Sequence, residues 1–393
     1  MKKAIFFSVL PLLAMLIAGC EYDHPKAVWD PNEDLGVSVT VTSVEPAGRA
    51  DAGVQTIRIT GQNFSAEPEK NQVYFGGIRT TVRTSSPTEL IVNRPNTYGD
   101  SLLINVRVEK AYILGRYSPY GVAQVARLYG NMPSKNIVQM IDLDAQESIY
   151  ALKNDKTVIK IPSNESPEVF GSRDFRGNAS DLKVGPGGQV FIKQFNHTNL
   201  YAIPAEGGVT VKYGSFAKQG SYIDFDENNN CYTVGKNNGV SVLKPDMTSA
   251  AVGDYEDLDA TWIRACNGFI YVSDAAGIYR SQILGPDGSL GTKSKVFDLT
   301  QVPGYDASAI LSFAVAQGGN LYVATDNIKP LLTVSPDGTV QPFYSEIIIP
   351  NSGQLVWGNG NFAYVNMTED NPTNDIFRID MAEQGAPYQG RMR

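Results

Sequence analysis

The feature that most constrains this chain is a ten-residue pattern that returns six times beyond Gly130: IDLDAQESIY from 141, LKVGPGGQVF from 182, IDFDENNNCY from 223, WIRACNGFIY from 262, FAVAQGGNLY from 313 and LVWGNGNFAY from 355. The spacings are 41, 41, 39, 51 and 42 residues. The first column holds Ile141, Leu182, Ile223, Trp262, Phe313 and Leu355, all apolar. The ninth holds Ile149, Val190, Cys231, Ile270, Leu321 and Ala363, apolar again, and the tenth is Tyr or Phe throughout. Columns four to eight are rich in Gly, Asn, Asp and Gln. Such a unit is an inner strand, a tight hairpin turn and a second strand whose aromatic packs between neighbouring units.

A period near 40 with a strand–turn–strand in each unit marks a β-propeller of four-stranded blades. Each unit continues into a third strand, such as NLYAIPA or GIYRSQI, and an outer one, such as VTVKYGSF or KVFDLT. Six blades account for residues 128–393, and the ring must close, because an open end leaves two unpaired sheet edges. Either GVAQVARLYG at 121–130 or the terminal GAPYQGRMR can supply the outer strand of the last blade, and the former is the preferred choice. The units resemble those of six-bladed NHL-like propellers.

The repeat also settles how DFDENNNCY at 224–232 is read. Asp224, Asp226, Asn228 and Asn230 alternate as calcium-loop ligands do. Asn229, however, stands where such a loop needs glycine, and Gly235 where it needs its last glutamate. The segment is the same hairpin turn as GPGGQ and AQGGN in sister units, and no metal is expected in it. Cys231 falls in an apolar column and Cys266 in a turn column, which argues against a disulfide between them.

From Val37 the chain alternates apolar and polar residues in runs such as VSVTVTSVEP, VQTIRITGQNF and SLLINVRVEKAY, broken by Gly, Pro, Asn and Asp. Period-two runs of this kind are strands of a half-buried antiparallel sandwich. Ile59-Thr60-Gly61-Gln62-Asn63-Phe64, Asn71 to Gly77, Leu90-Ile91-Val92 before Pro95, and Ile104 to Val108 resemble the immunoglobulin-like IPT/TIG domain in order and spacing. The expected fold is therefore all-β: an IPT/TIG sandwich over 37–127, then a six-bladed propeller over 128–393. The resemblance implies a spacer or partner-facing module, with Phe64 and Phe75 in its core.

The opening MKKAIFFSVLPLLAMLIAGC has a basic start, a short apolar run and small residues before a cysteine, the layout of a secretory signal over 1–19. Its end resembles the bacterial lipobox, which implies lipidation of Cys20. Removing the signal takes away two lysines and no acid, leaving 31 basic against 41 acidic residues and a formal charge of −10. That charge excludes nucleic acid as a partner and anionic head groups as an anchor, so membrane attachment falls to the lipid alone. Residues 20–36, polar and acid-rich, read as a tether; its roughly 16 residues after Cys20 reach about 50 Å if extended. Acids directly after the cysteine resemble the export signal of Bacteroidota lipoproteins, implying an outer-membrane location facing the exterior.

Catalytic signals are sparse. Only His24 and His197 occur, nothing near His197 looks like a nucleophile elbow, and thiol or imidazole pairs for zinc are lacking. Asp142, Asp224 and Asp226 point toward the propeller axis, but the matching column in later blades reads Ile263, Ala314 and Val356, which weakens a channel metal centre. Catalytic residues, metal ligands and cofactors are accordingly expected to be none. Ligand-binding candidates come from the loops that share the face opposite the hairpin turns: Arg173, Arg176, Lys193, Asn196, His197, Asn237, Asp274, Tyr305, Asp306, Asp326 and Asn327. Planar polar groups beside aromatics suit a carbohydrate, whose ring faces stack while its hydroxyls hydrogen-bond. The chain resembles the surface glycan-binding lipoproteins that Bacteroidota pair with outer-membrane importers, which implies a glycan or protein ligand and an importer as a partner. Two alternatives stay open, a non-catalytic protein–protein scaffold and a calcium-dependent propeller hydrolase or lactonase.

Overall fold

The computed structural model of the protein describes residues 37–132, 137–348, 352–367 and 376–388; the expected signal peptide over 1–19, the expected lipidation site Cys20 and the expected tether over 20–36 lie outside the described residues. Its strands form eight sheets. Two of them face each other in the N-terminal part. One orders Thr40–Glu45, Thr56–Gln62, Glu89–Asn93 and Val82–Ser85; the other orders Arg49–Ala50, Gly115–Val122, Gly99–Val108, Asn71–Phe75 and Ile78–Thr80. Alternate residues turn inward, so Ile57, Ile59, Val73, Phe75, Leu90, Val92, Ile104 and Val106 merge with Phe64 into one core. Gly61 has no substitute here: a Cβ on it would stand 2.0 Å from the Thr40 carbonyl oxygen and 2.5 Å from the Phe64 ring.

The other six sheets are the blades of a propeller. Their inner strands are Val138–Leu143, Ala179–Val184, Tyr222–Phe225, Trp262–Cys266, Ile310–Val315 and Ser352–Trp357, each followed by antiparallel partners moving outward. Consecutive inner strands contact one another around the ring, and the sixth meets the first. Closure comes from Ala126–Tyr129, which pairs antiparallel with Ile376–Asp380 as the outer strand of blade 6. The C-terminal segment does something else. Ala386 N donates to Val315 O at 2.9 Å and the Tyr388 hydroxyl accepts from Val315 N at 3.0 Å, so this segment lies across the inner strands, with Tyr388 buried.

The tenth-column aromatics Tyr150, Phe191, Tyr232, Tyr271, Tyr322 and Tyr364 are all buried. Several cross to the next blade, as in Phe191 against Phe225 (4.8 Å between ring centres) and Tyr322 against Trp357 (5.1 Å). Truncating one such side chain to alanine costs roughly 3–5 kcal/mol, in keeping with an aromatic at this place in every blade. The DFDENNNCY segment is a turn held by its own acid. Asp226 Oδ1 accepts from the amides of Asn228 (2.8 Å) and Asn230 (2.9 Å), and Oδ2 accepts from the Tyr232 hydroxyl at 2.9 Å. Asp144 repeats this in blade 1, accepting from the amides of Gln146 and Ser148. Asn229 and Glu147 take left-handed φ values of 63° and 60° there.

Blade 4 corrects the column assignment. Its hairpin turns through Asn267 and Gly268, and strand pairing sets Arg264, not Ile263, opposite Tyr271. In blades 1, 2, 3, 5 and 6 the same place opposite the aromatic belongs to Asp142, Lys183, Asp224, Ala314 and Val356. The turn is one residue shorter, so Trp262 moves out of the apolar column and toward the axis.

The two parts of the chain are clamped together by the segment that follows the outer strand of blade 5. Glu346 accepts from Asn93 Nδ2 (2.6 Å), the Thr81 amide (3.2 Å) and the Thr80 hydroxyl (3.1 Å). Tyr344, buried, accepts from the Gly53 amide at 2.7 Å and donates to Asp380 O at 3.0 Å, with the Arg94 guanidinium 5.9 Å from its ring centre.

Candidate functional site

Each inner strand is a sheet edge facing the axis, so its unpaired backbone amides and carbonyls need partners. Side chains of the preceding blade supply them. Asp142 Oδ2 accepts from Val184 N (2.8 Å), Asp181 Oδ2 from Ile223 N (2.9 Å) and Asp224 Oδ2 from Ala265 N (2.9 Å). Trp262 Nε1 donates to Phe313 O (3.1 Å), Ser312 Oγ accepts from Leu355 N (3.0 Å), and Gln354 Oε1 accepts from Ile141 N (2.9 Å). The six contacts run from every blade to the next and return to the first.

Within this ring lie three carboxylates, Asp142, Asp181 and Asp224, and two cations, Lys183 and Arg264, all buried. Arg264 Nη1 stands 3.9 Å from Asp224, and the Lys183 ammonium and Arg264 guanidinium approach the Trp262 ring centre at 5.1 and 4.9 Å. Tyr388 covers Arg264 at 5.2 Å. Burial pushes the Asp181 carboxyl up to about 6, against the opposing pull of Lys183. Burial likewise raises Asp224, and lowers Lys183 with help from Arg264. The acids of the axis therefore converge on backbone amides; Asp224 also stands in ion-pair range of Arg264, while the buried Lys183 ammonium has no hydrogen-bond partner among the described residues. Among the described residues no three His, Cys, Asp or Glu side chains gather in a way that could hold a metal ion.

The loop candidates divide sharply. Lys193 and Tyr305 are buried, with their polar ends turned to backbone carbonyls. The Lys193 ammonium turns inward onto the carbonyls of Gln194 (3.0 Å), Gly220 (2.8 Å) and His197, and the Tyr305 hydroxyl donates to Lys329 O at 2.8 Å. Arg173 is tied to the Gly177 carbonyl and lies over Phe175 at 4.8 Å. Asp274 caps a turn through the amides of Ala276 and Gly277. Asp326 accepts from the Ala309 amide, and Asn327 donates to Gly304 O and Ser308 Oγ, which ties two loops of blade 5 beside the exposed Asp306. Asn237 is exposed in a turn of blade 3 with φ 51°.

One group remains open and close together. Gln194 Nε2 donates to Arg176 O at 2.8 Å and Phe195 N to Asn178 O at 2.9 Å, joining the loop before blade 2 to a turn within it. Exposed on this joint are Arg176, Asn196, His197 and Phe195. The His197 Nδ1 accepts from Asn199 N at 3.1 Å, which holds the exposed ring in place. Phe195, 57% exposed, is a residue the sequence reading passed over, although FNHTN places an aromatic among polar neighbours. A second feature it passed over is a cleft of about 430 Å³ between blades 4 and 5, lined by Tyr271, Arg280, Gly318, Leu321, Val334 and Pro336. Arg280 stacks over Phe269 at its rim, 4.9 Å from the ring centre.

Comparison with known proteins decides the N-terminal part, because the IPT/TIG domain family matches the sandwich by sequence. Residues 39–120 are an IPT/TIG domain. The IPT/TIG domain and propeller together are similar to an auxiliary nutrient binding protein from Bacteroides thetaiotaomicron (13% identity, TM-score 0.53, 88% of this chain and 98% of that one). A second auxiliary nutrient binding protein, from Bacteroides ovatus, is similar over 88% of this chain and 98% of its own (11% identity, TM-score 0.50). The propeller is also similar to a luciferin-regenerating enzyme (13% identity, TM-score 0.50, 67% of this chain and 97% of that one). At such identities the likeness speaks for fold alone. No curated protein matches the chain by sequence.

Proposed function

We propose that the protein is a lipid-anchored, surface-facing lipoprotein that binds an extracellular glycan through its propeller, with the IPT/TIG domain as spacer. The observation that carries this reading is the open cluster on blade 2. An exposed phenyl ring, Phe195, shares one loop joint with exposed Arg176, Asn196 and His197. A sugar ring stacks on such an aromatic while its hydroxyls take up the planar polar groups. The likeness of fold to two auxiliary nutrient binding proteins, over 88% of this chain, supports binding as the general class, and the acids of the axis, already accepting from backbone amides, argue against a hydrolase built there.

The test is binding of the soluble form, residues 21–393, to a panel of polysaccharides and protein glycans, with calcium and with a chelator. Binding of one glycan class, unchanged by the chelator and weakened at least about tenfold by Phe195→Ala, supports the reading. Failure to bind any member of the panel, or release of a cleaved product, overturns it. A scaffold role has one observation in its favour: Val169, Val209 and Val211 are exposed near the joint of blades 1 and 2. Capture of an envelope protein lost on Val169→Ser would favour that role.

A further inference from the structure

The IPT/TIG domain ends in an apolar tip. The loop at 109–114, between Gly99–Val108 and Gly115–Val122, exposes Tyr112 (69%), Ile113 (58%) and Leu114 in succession. Val37, 60% exposed, stands beside them, because Val39 N donates to Ile113 O at 3.1 Å. The loop is shaped in advance: Ala111 N closes a turn onto Val108 O, and Lys110 takes a φ of 65°. Three consecutive apolar side chains projecting from a hairpin, with a fourth beside them, are costly to leave in water.

The place of the tip in the chain says what covers it. Val37 is the first described residue and lies seventeen positions after Cys20. If Cys20 is acylated, the tip is the part of the folded protein nearest the bilayer along the chain. We propose that Tyr112, Ile113 and Leu114, with Val37, form a membrane-docking surface that seats in the interfacial layer of the bilayer and fixes the protein's orientation on it. This rests on the lipoprotein reading above. Tyr suits the head-group level and Ile and Leu the acyl boundary. A tip held within tether length of the membrane needs little affinity of its own, because its effective concentration there is high. Its flanks carry both signs, Glu109 with Lys110 and Arg116, so docking works by apolar insertion and is indifferent to lipid charge.

The test uses the full lipidated protein in phosphatidylcholine vesicles, with an environment-sensitive dye on Ile113→Cys. Cys20 is consumed by the acyl group, and Cys231 and Cys266 are buried. Emission from 113 is expected to shift blue and fall at least about twofold with brominated lipid, while dye on Ile328→Cys in the propeller does neither. Adding Tyr112→Ser and Leu114→Ser should abolish the shift with the protein still on the vesicles. An acylated, vesicle-bound protein whose dye at 113 stays in water overturns the docking surface and leaves the anchor standing. Absence of acyl mass on Cys20 overturns both. A shift that appears only when another envelope protein is added replaces the lipid by a protein partner.

Discussion

Replacing Asp181 by Asn should make the protein's stability less dependent on pH, in a direction that can be worked out beforehand. Asp181 is fully buried, and its folded-state pKa is raised to about 6 by desolvation. In the unfolded chain an Asp titrates near 3.9. Between these values the native state binds the proton that the unfolded state has released. Stability is therefore fully present below the unfolded pKa and is lost as pH rises through the folded one. Over the whole window the loss is about 3 kcal/mol, and from about pH 4.5 to about pH 7.5 it is about 2 kcal/mol. Asn cannot ionise, keeps an oxygen for the Ile223 amide and preserves the shape of the side chain. Urea unfolding of wild type and Asp181→Asn at fixed ionic strength, taken across that range, isolates the contribution, because every other titrating group outside the cluster cancels in the difference. The variant should gain about 2 kcal/mol on wild type as pH rises. A flat difference, or wild type gaining on the variant, would mean that Lys183 and Arg264 compensate the carboxylate fully and that the burial argument is wrong.

Further expectations concern the clamp, the thiols and the axial tyrosine. Glu346→Ala leaves the Asn93 amide and the Thr81 amide without their acceptor and should cost roughly 1–3 kcal/mol; limited proteolysis between the domains should speed up while the separate folds persist. Burial raises the thiol pKa of both Cys231 and Cys266, so neither should react with a thiol reagent in the native soluble form, and both should react at the rate of global unfolding. Tyr388→Ala uncovers Arg264 and orphans the Val315 amide, and should lower the thermal midpoint; an unchanged midpoint would show that the C-terminal segment covers the axis without supporting it.

The architecture was legible because its determinants are periodic. An apolar first column, an aromatic tenth column and a polar turn between them restate one packing problem six times, and the sandwich strands alternate cleanly. What escaped was aperiodic. The short turn of blade 4 slid one residue against its sisters, and a fixed ten-residue frame hid Arg264 behind Ile263; the Asn267-Gly268 pair, a two-residue hairpin signal, was the clue. Lys183 stands in the same column as Asp142 and Asp224 and Asp181 just ahead of the first column, but only the fold shows that Asp181 joins them in one ring. At the loop face, composition could not tell Lys193 and Tyr305, which turn inward to carbonyls, from Arg176 and His197, which do not. Phe195 was missed because an apolar residue at a strand end looks like core until its exposure is known.

Closure of the ring by Ala126–Tyr129 sets an order of assembly. That strand is made first among the propeller's strands, yet its partner Ile376–Asp380 lies about 250 residues later, a separation at which loop closure is slow. Until the partner arrives the early strand offers a bare edge, and so does the opposite end of the growing ring. The chain therefore passes its vulnerable interval with two mutually complementary edges exposed at once, and two molecules in that interval can exchange them. Swapped dimers joined through blade 6 are the misassembly this topology invites, and crowding of nascent chains during synthesis is the condition that would reveal them.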